Sequence, residues 1–394
     1  MDYDKILSRC VKEMKPSGIR RFFDLAGTME GVISLGVGEP DFKTPYSIRR
    51  AGIDSLEKGR TWYSANAGLP ELRREISAYL LRRFGLTYDG EKEILVTVGG
   101  SEAIDLCTRA VINPGDEVLI PEPCFVAYEP IARLAGGVPV PIVTRAEDNF
   151  RLTPEALAAA ITPKTKLLIF PFPNNPTGAV MDKTALEGIA EVLRKTDIIV
   201  LSDEIYAELT YEGRHVSIAS IPCMRERTVV VNGFSKAYAM TGWRLGYDAA
   251  PREILSQMTK VHQFAIMCAP TTSQYAAIEA MRNCDDEIGR MAVQFGMRRG
   301  LLVSNLNRIG LTCADPQGAF YVFPSIKVTG MSSEEFCEGL LHSQKVAVVP
   351  GDAFGKSGEG FVRISYSYSV EHLIEALRRI EAYLVELGVY TPTE

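Results

Sequence analysis

The chain has 394 residues, 46% of them hydrophobic and 23% charged, with a net charge of −6. That length exceeds one ordinary core, so two domains, or a large α/β domain with an appendage, is expected. The mildly acidic balance argues against a phosphate-backbone binder, which needs a basic stripe, and no run of about eighteen apolar residues marks a membrane span.

The eight cysteines form no C-x-x-C pair and read as reduced thiols. The four histidines lack metal-ligand spacing, so no metal site is expected. The N-terminus carries charges from its second residue and has no apolar signal core, which points to a cytoplasmic protein.

In chain order, β-branched apolar runs at Glu93–Val98, Glu117–Ile120, Lys166–Phe170, Asp197–Leu201 and Thr228–Val231 alternate with helical patterns at Ser101–Ile112, Phe125–Ala135 and Lys183–Arg194. Such alternation predicts an α/β fold with a mostly parallel central sheet sandwiched by helices. From about Cys284 the texture changes. A long helix (Glu287–Ile309), short strands (Ala319–Phe323 and Phe361–Ser365) and a last helix (Val370–Leu387) predict a smaller α/β domain. The expected division is residues 1–45 packing on the small domain, 46–285 as the large domain and 286–394 as the small one.

Functional groups in open α/β sheets gather at the carboxyl ends of strands. Four such ends carry polar residues. Val98-Gly99-Gly100-Ser101-Glu102 could let a phosphate approach a helix N-terminus, or could be a plain tight turn. Asn174-Asn175-Pro176-Thr177-Gly178 fits an ordinary turn as well as a ligand contact. Asp203-Glu204-Ile205-Tyr206 offers a buried acid or a helix cap. Gly233-Phe234-Ser235-Lys236 offers a Schiff-base lysine or a solvated one. Together, a phosphate nest, an acid, a phenol, an amide and a lysine at successive strand ends match the needs of pyridoxal phosphate.

The stretch Gly233-Phe-Ser-Lys236-Ala-Tyr-Ala-Met-Thr-Gly242-Trp-Arg244-Leu-Gly246 resembles the lysine signature of class I and II aminotransferases. Asn175-Pro-Thr-Gly178, Asp203–Tyr206 and Val362-Arg363-Ile-Ser365 resemble three further motifs of that family. The likeness runs from Ile33 to the final helix. It implies an aspartate-aminotransferase-like fold (fold type I), pyridoxal 5'-phosphate as cofactor, and amino acid and 2-oxo acid substrates. By the same resemblance, Lys236 would hold the cofactor as a Schiff base and move the proton, and Asp203 would keep its ring nitrogen protonated. Asn175 and Tyr206 would bond the phenolic oxygen, and Phe125 would stack on the ring. Gly100, Ser101 and Glu102 (by backbone N–H), with Ser235 and Arg244, would hold the phosphate. Arg363 would grip the substrate carboxylate, helped by Gly38 and Asn175. Tyr63, in Trp62-Tyr63-Ser-Ala-Asn-Ala-Gly68, would reach the partner's cofactor in a homodimer, and Lys15–Ile19, with Ser17 and Ile19, would fold over the substrate.

Two departures from the family pattern matter. Gly233 stands where many members have a phosphate-binding Ser, and Ser101 stands where some aspartate-specific members have a basic residue. The second points to a broad aminotransferase for aromatic or other neutral amino acids, aspartate not excluded. A C–S β-lyase with the same cofactor is the alternative; a ligand-sensing regulator or a nucleotide hydrolase is a more distant one. The loop Gly351-Asp-Ala-Phe-Gly355-Lys356-Ser357 imitates a P-loop but has three residues between its glycines, not four, and a strand pattern after it. It reads as a surface loop between strands.

Overall fold

The computed structural model describes residues 1–14, 27 and 29–392; Ser17, Ile19 and the rest of the Lys15–Ile19 segment lie outside them. A short β1 (Ile33–Ser34) precedes a seven-stranded sheet. Its strands are β2 (Ile94–Thr97), β3 (Glu117–Glu122), β4 (Val138–Val143), β5 (Thr165–Phe170), β6 (Ile199–Asp203), β7 (Thr228–Gly233) and β8 (Gly246–Ala249), in spatial order β2-β8-β7-β6-β5-β3-β4. Neighbouring strands from β4 to β7 run parallel, while β8 runs antiparallel to both its neighbours.

Both faces are buried, as parallel strands require. Leu95, Val118, Leu201, Val229 and Val231 face the helices Gly99–Val111 and Arg252–Ala265. The alternate residues Ile94, Val96 and Val230 face Pro70–Phe84 and Thr271–Asn283. Lys183–Leu193 shows how such a helix is written in sequence. The Asp182 carboxylate accepts the Ala185 N–H at 2.9 Å, and Leu186, Ile189, Ala190 and Leu193 recur on one buried stripe.

The C-terminal part adds β9 (Tyr321–Val322), β10 (Val346–Ala347), β11 (Val349–Pro350) and β12 (Val362–Ser365). β12 lies between β11 and β9, antiparallel to both, and β1 pairs parallel with β10. The helices Asp285–Arg308, Ser333–Gln344 and Val370–Glu386 bury Phe295, Leu302, Phe336, Leu340, Leu373 and Ile380 around them. Leu35 belongs to that core, and its N–H donates to the Ala347 carbonyl at 2.8 Å.

Three local expectations change. The helix expected from Phe125 begins at Tyr128. Pro130 lacks an N–H and is tolerated only in a first turn, so the helix cannot start three residues earlier. The strand expected over Ala319–Phe323 shrinks to Tyr321–Val322, because Ala319 takes φ +58. β4, with Pro139 and Pro141, escapes a sequence reading because prolines argue against a strand; its place at the sheet edge tolerates them. Among the described residues no helix is long and apolar enough to cross a membrane, and no group of three or more His, Cys, Asp or Glu could hold a metal ion.

Candidate active site

The carboxyl ends of the parallel strands open into one cavity of about 380 Å³. Asp203 ends β6, and Ser235 and Lys236 follow β7. Gly100 and Ser101 lie in the first helical turn after β2, Phe125 follows β3, and Asn175 follows β5. Arg363 arrives from the small sheet on β12, and Gly38 from the segment after β1. All of these, with Tyr206 and Arg244, line the cavity.

Two expected site residues lie outside that lining. The Glu102 carboxylate turns back to accept the Val98 N–H and to bond His262 Nδ1 at 2.7 Å, leaving only its backbone for a ligand. Tyr63 is 76% exposed, beside Trp62 at 61%.

Of the charges in the cavity, Asp203 and Arg363 are buried and Lys236 half-buried. Asp203 is 7% exposed and accepts the Tyr128 hydroxyl at 2.7 Å and the Ile205 N–H at 3.2 Å. Burial nevertheless pushes its carboxyl up to about 6, against these two hydrogen bonds. Lys236 donates to the Gly38 carbonyl. Burial pulls its ammonium down to about 8, and the Arg363 and Arg244 charges act the same way. Arg363 is 3% exposed, bonds Asn175 Oδ1 at 2.9 Å and the Gly36 carbonyl, and leaves Nε without a partner. Its guanidinium lies between the rings of Tyr321 at 4.5 Å and Phe354 at 4.8 Å. No ion pair among the described residues involves Arg363 or Arg244.

The first turn of the helix Gly99–Val111 is shaped for close approach. A Cβ at Gly246 would lie 2.7 Å from the Gly99 carbonyl carbon, so β8 packs directly on that turn. Gly99 takes φ +79, and a Cβ there would lie 2.6 Å from Arg244 Nη2. The guanidinium is thus held against free N–H groups at the helix start, an arrangement suited to an anion.

Sequence reasoning missed Tyr128 and Tyr321. Tyr128 follows Phe125 by three residues, a spacing that could have placed both on one side of a turn. The Tyr321 hydroxyl bonds that of Tyr206 at 2.8 Å, and a Cβ at Gly38 would collide with it. Thr241, which donates to Glu39 and accepts from Arg244 Nη1 at 2.9 Å, links the segment after β1 to the arginine.

The family model for aminotransferase class I and II matches residues 30–380. The putative aminotransferase YugH of Bacillus subtilis is 57% identical, over 96% of this chain and 98% of its own. The crystal structure of an aromatic aminotransferase from Pyrococcus horikoshii, 45% identical, matches with a TM-score of 0.90 over 94% of this chain and 100% of that one. The aspartate aminotransferase of Thermus thermophilus with maleate, 39% identical, matches with a TM-score of 0.92 over 96% and 99%. The central sheet and its helices are those of the aspartate-aminotransferase fold, fold type I. The chain belongs to the class I and II aminotransferases, enzymes that move an amino group between an amino acid and a 2-oxo acid.

Proposed function

We propose that this aminotransferase works with pyridoxal 5'-phosphate in the described cavity and accepts a broad set of aromatic and other neutral amino acids. One observation carries the reading. A half-buried lysine, a buried acid and a buried arginine, none of them in an ion pair among the described residues, converge on a single cavity.

The residues fit the cofactor. The turn at Gly100, Ser101 and Glu102 offers backbone N–H groups, and Arg244 and Ser235 complete a phosphate cradle. Asp203, raised by burial, gains from a cationic N–H placed beside it, so it would hold the proton on the ring nitrogen. Phe125 gives an apolar face, and Asn175 and Tyr206 give donors for the phenolic oxygen. The bound cofactor supplies an aldehyde carbon for the amino group and a ring that accepts the electrons released at Cα.

With the cofactor bound, Lys236 would hold that carbon and, once displaced by substrate, would take the proton from Cα. Its lowered basicity suits a group that must accept and return a proton near neutral pH. Arg363, oriented by two rings and Asn175, grips the substrate carboxylate with its planar fork, and the Gly38 backbone lies beside it. The Gly36 carbonyl now bonded to Arg363 marks where the carboxylate would compete.

Among the described lining residues the cations are Lys236, Arg244 and Arg363, and each already has a task. Glu39 adds a negative charge at the rim. No described cation remains for a second carboxylate, which supports neutral side chains. Differences among such side chains give only about 1–3 kcal/mol of discrimination.

We propose further that residues 46–285 form the large domain, and 286–394 with the first 45 the small one. In a homodimer Tyr63 would reach the partner's site. Trp62, Tyr63 and Phe264, the last 87% exposed, support a covered surface there.

The test is a half-reaction screen. Cofactor-loaded enzyme is mixed with single amino acids while its absorbance is followed, and borohydride then fixes the cofactor for peptide mapping. Label on Lys236, with phenylalanine and methionine reacting, is the expected result. Label on another lysine overturns the site. Reaction with aspartate alone, the others more than about a thousandfold slower (~4 kcal/mol), overturns the specificity.

A further inference from the structure

The P-loop-like segment is the one motif that the amino-transfer chemistry leaves unused. In the structure it forms two 3-10 turns, Gly351–Phe354 and Lys356–Gly358, between β11 and β12. The corner between them, Gly355, takes φ +116, a conformation only glycine adopts readily. The corner is filled. A Cβ at Gly355 would lie 2.5 Å from the Glu122 carboxyl carbon and 2.6 Å from Oε2. Burial, with the nearby Glu129 charge, raises the Glu122 carboxyl above its ordinary value, and the backbone N–H groups of Ser357 and Lys356 act against that shift. The corner that imitates a phosphate site is occupied by the protein's own Glu122 carboxyl group.

Glu122 is the last residue of β3, in the large sheet. Two residues on, the Cys124 N–H donates to the Phe354 carbonyl at 2.9 Å. Phe354 is 1% exposed, and its ring lies 4.8 Å from the Arg363 guanidinium. Phe125, next in the chain, lines the cavity. The end of β3 is therefore fastened to the loop whose phenylalanine backs the arginine.

We propose that Glu122 is a positioning residue for substrate-carboxylate binding: by occupying the 351–357 loop it holds Phe354 against Arg363 and so fixes the plane of the guanidinium fork. The inference rests on the reading of Arg363 as the carboxylate grip. A bidentate grip depends on orientation, so a loosened ring costs affinity for the carboxylate before it affects proton transfer at Lys236. The phosphate cradle lies on other elements and is untouched.

Cofactor-loaded Glu122→Gln, Gly355→Ala and Arg363→Lys enzymes are compared with the parent. In Glu122→Gln an amide NH2 replaces one carboxylate oxygen before the backbone donors, and Gly355→Ala presses on the same contact from the other side. Amino-acid KM, the limiting half-reaction rate, cofactor affinity and the Kd of the unreactive carboxylate 3-phenylpropionate are measured. KM and Kd should rise about tenfold in the first two variants, with limiting rate and cofactor affinity within about threefold of the parent. Unchanged Kd in both, while Arg363→Lys weakens binding, overturns the role of Glu122 alone. A parallel fall in limiting rate and cofactor affinity also overturns it, marking a structural contact only. Unchanged binding in Arg363→Lys overturns both the grip and its positioning.

Discussion

Two glycine-cornered turns in this chain have phosphate-binding looks, and the protein treats them oppositely. The turn at Gly99 opens a helix of thirteen residues and keeps Arg244 beside it without an ion-pair partner among the described residues. The loop at Gly355 leads into a strand and already holds the Glu122 carboxylate. Glycines permit close approach in both. What each can bind is decided by the element that follows and by the nearest charge. The first region keeps Arg244 without an ion pair among the described residues and so open to a ligand; the second fills its corner with the Glu122 carboxyl group and ties two sheets together. Variants should therefore behave in opposite ways in the two regions.

The largest effect should come from Asp203→Asn. Activity should fall more than about a hundredfold (~2.7 kcal/mol), because an amide cannot hold the ring-nitrogen proton electrostatically. The cofactor-free protein should respond the other way. The Asp203 carboxyl sits at about 6 in the folded chain, above the ~3.9 of an unfolded aspartate. Below about pH 4 both states are protonated and the group is neutral to stability. Between about pH 4 and 6 the unfolded state ionises first, so the native aspartate becomes destabilising, by up to about 3 kcal/mol above pH 6. Asparagine removes that penalty. Urea unfolding of the cofactor-free proteins at pH 4 and pH 7.5 checks this: the variant should be the more stable at pH 7.5 and level at pH 4. Lower stability at pH 7.5 would show that the carboxylate is already answered within the fold.

Arg244→Gln should follow at somewhat smaller size. Cofactor affinity should drop about thirtyfold (~2 kcal/mol), since charge-assisted bonds to a phosphate are among the stronger ones. Melting of the cofactor-free protein should change by less than about 2 °C, because no ion pair among the described residues is lost. Equilibrium dialysis of the cofactor and calorimetry separate the two readouts. A large loss of melting temperature without loss of affinity would put Arg244 in the scaffold.

Legibility in the sequence follows the same division. Lys236 and Asp203 stood out as candidates by residue type at strand ends, while Arg363 was found only through its likeness to a family motif. The alternating apolar runs gave the parallel core of the sheet. β8 was not legible as a strand: Gly246-Tyr-Asp-Ala is four residues long, and its Asp248 is fully buried with both carboxylate oxygens unbonded. Such a residue contradicts every local strand signal. Contacts that depend on the packing of distant elements stayed hidden too. Tyr128 meets Asp203 across 75 residues, and Glu122 meets Gly355 across the two sheets. Neither pair has a spacing that could announce it.

Tyr128→Phe gives the smallest effect and the finest test of the first region. The hydroxyl donates to Asp203 Oδ2 and lowers that carboxyl's pKa, though burial outweighs it. Phenylalanine keeps the ring beside Phe125 and removes only the donor. The Asp203 pKa should then rise further, by roughly half to one unit, the worth of about one hydrogen bond. Because cofactor binding uses the ionised form, the acid limb of affinity against pH should move upward by the same amount. At pH 6 binding should weaken about two- to fivefold, while at pH 8.5, where Asp203 is ionised in both proteins, the difference should shrink to within about twofold. Cofactor titrations from pH 5 to 8.5 measure the limb directly. A limb that stays in place, or a loss equal at all pH values, would mean that Tyr128 only fills space and that the acid is held by its burial and the Ile205 N–H alone.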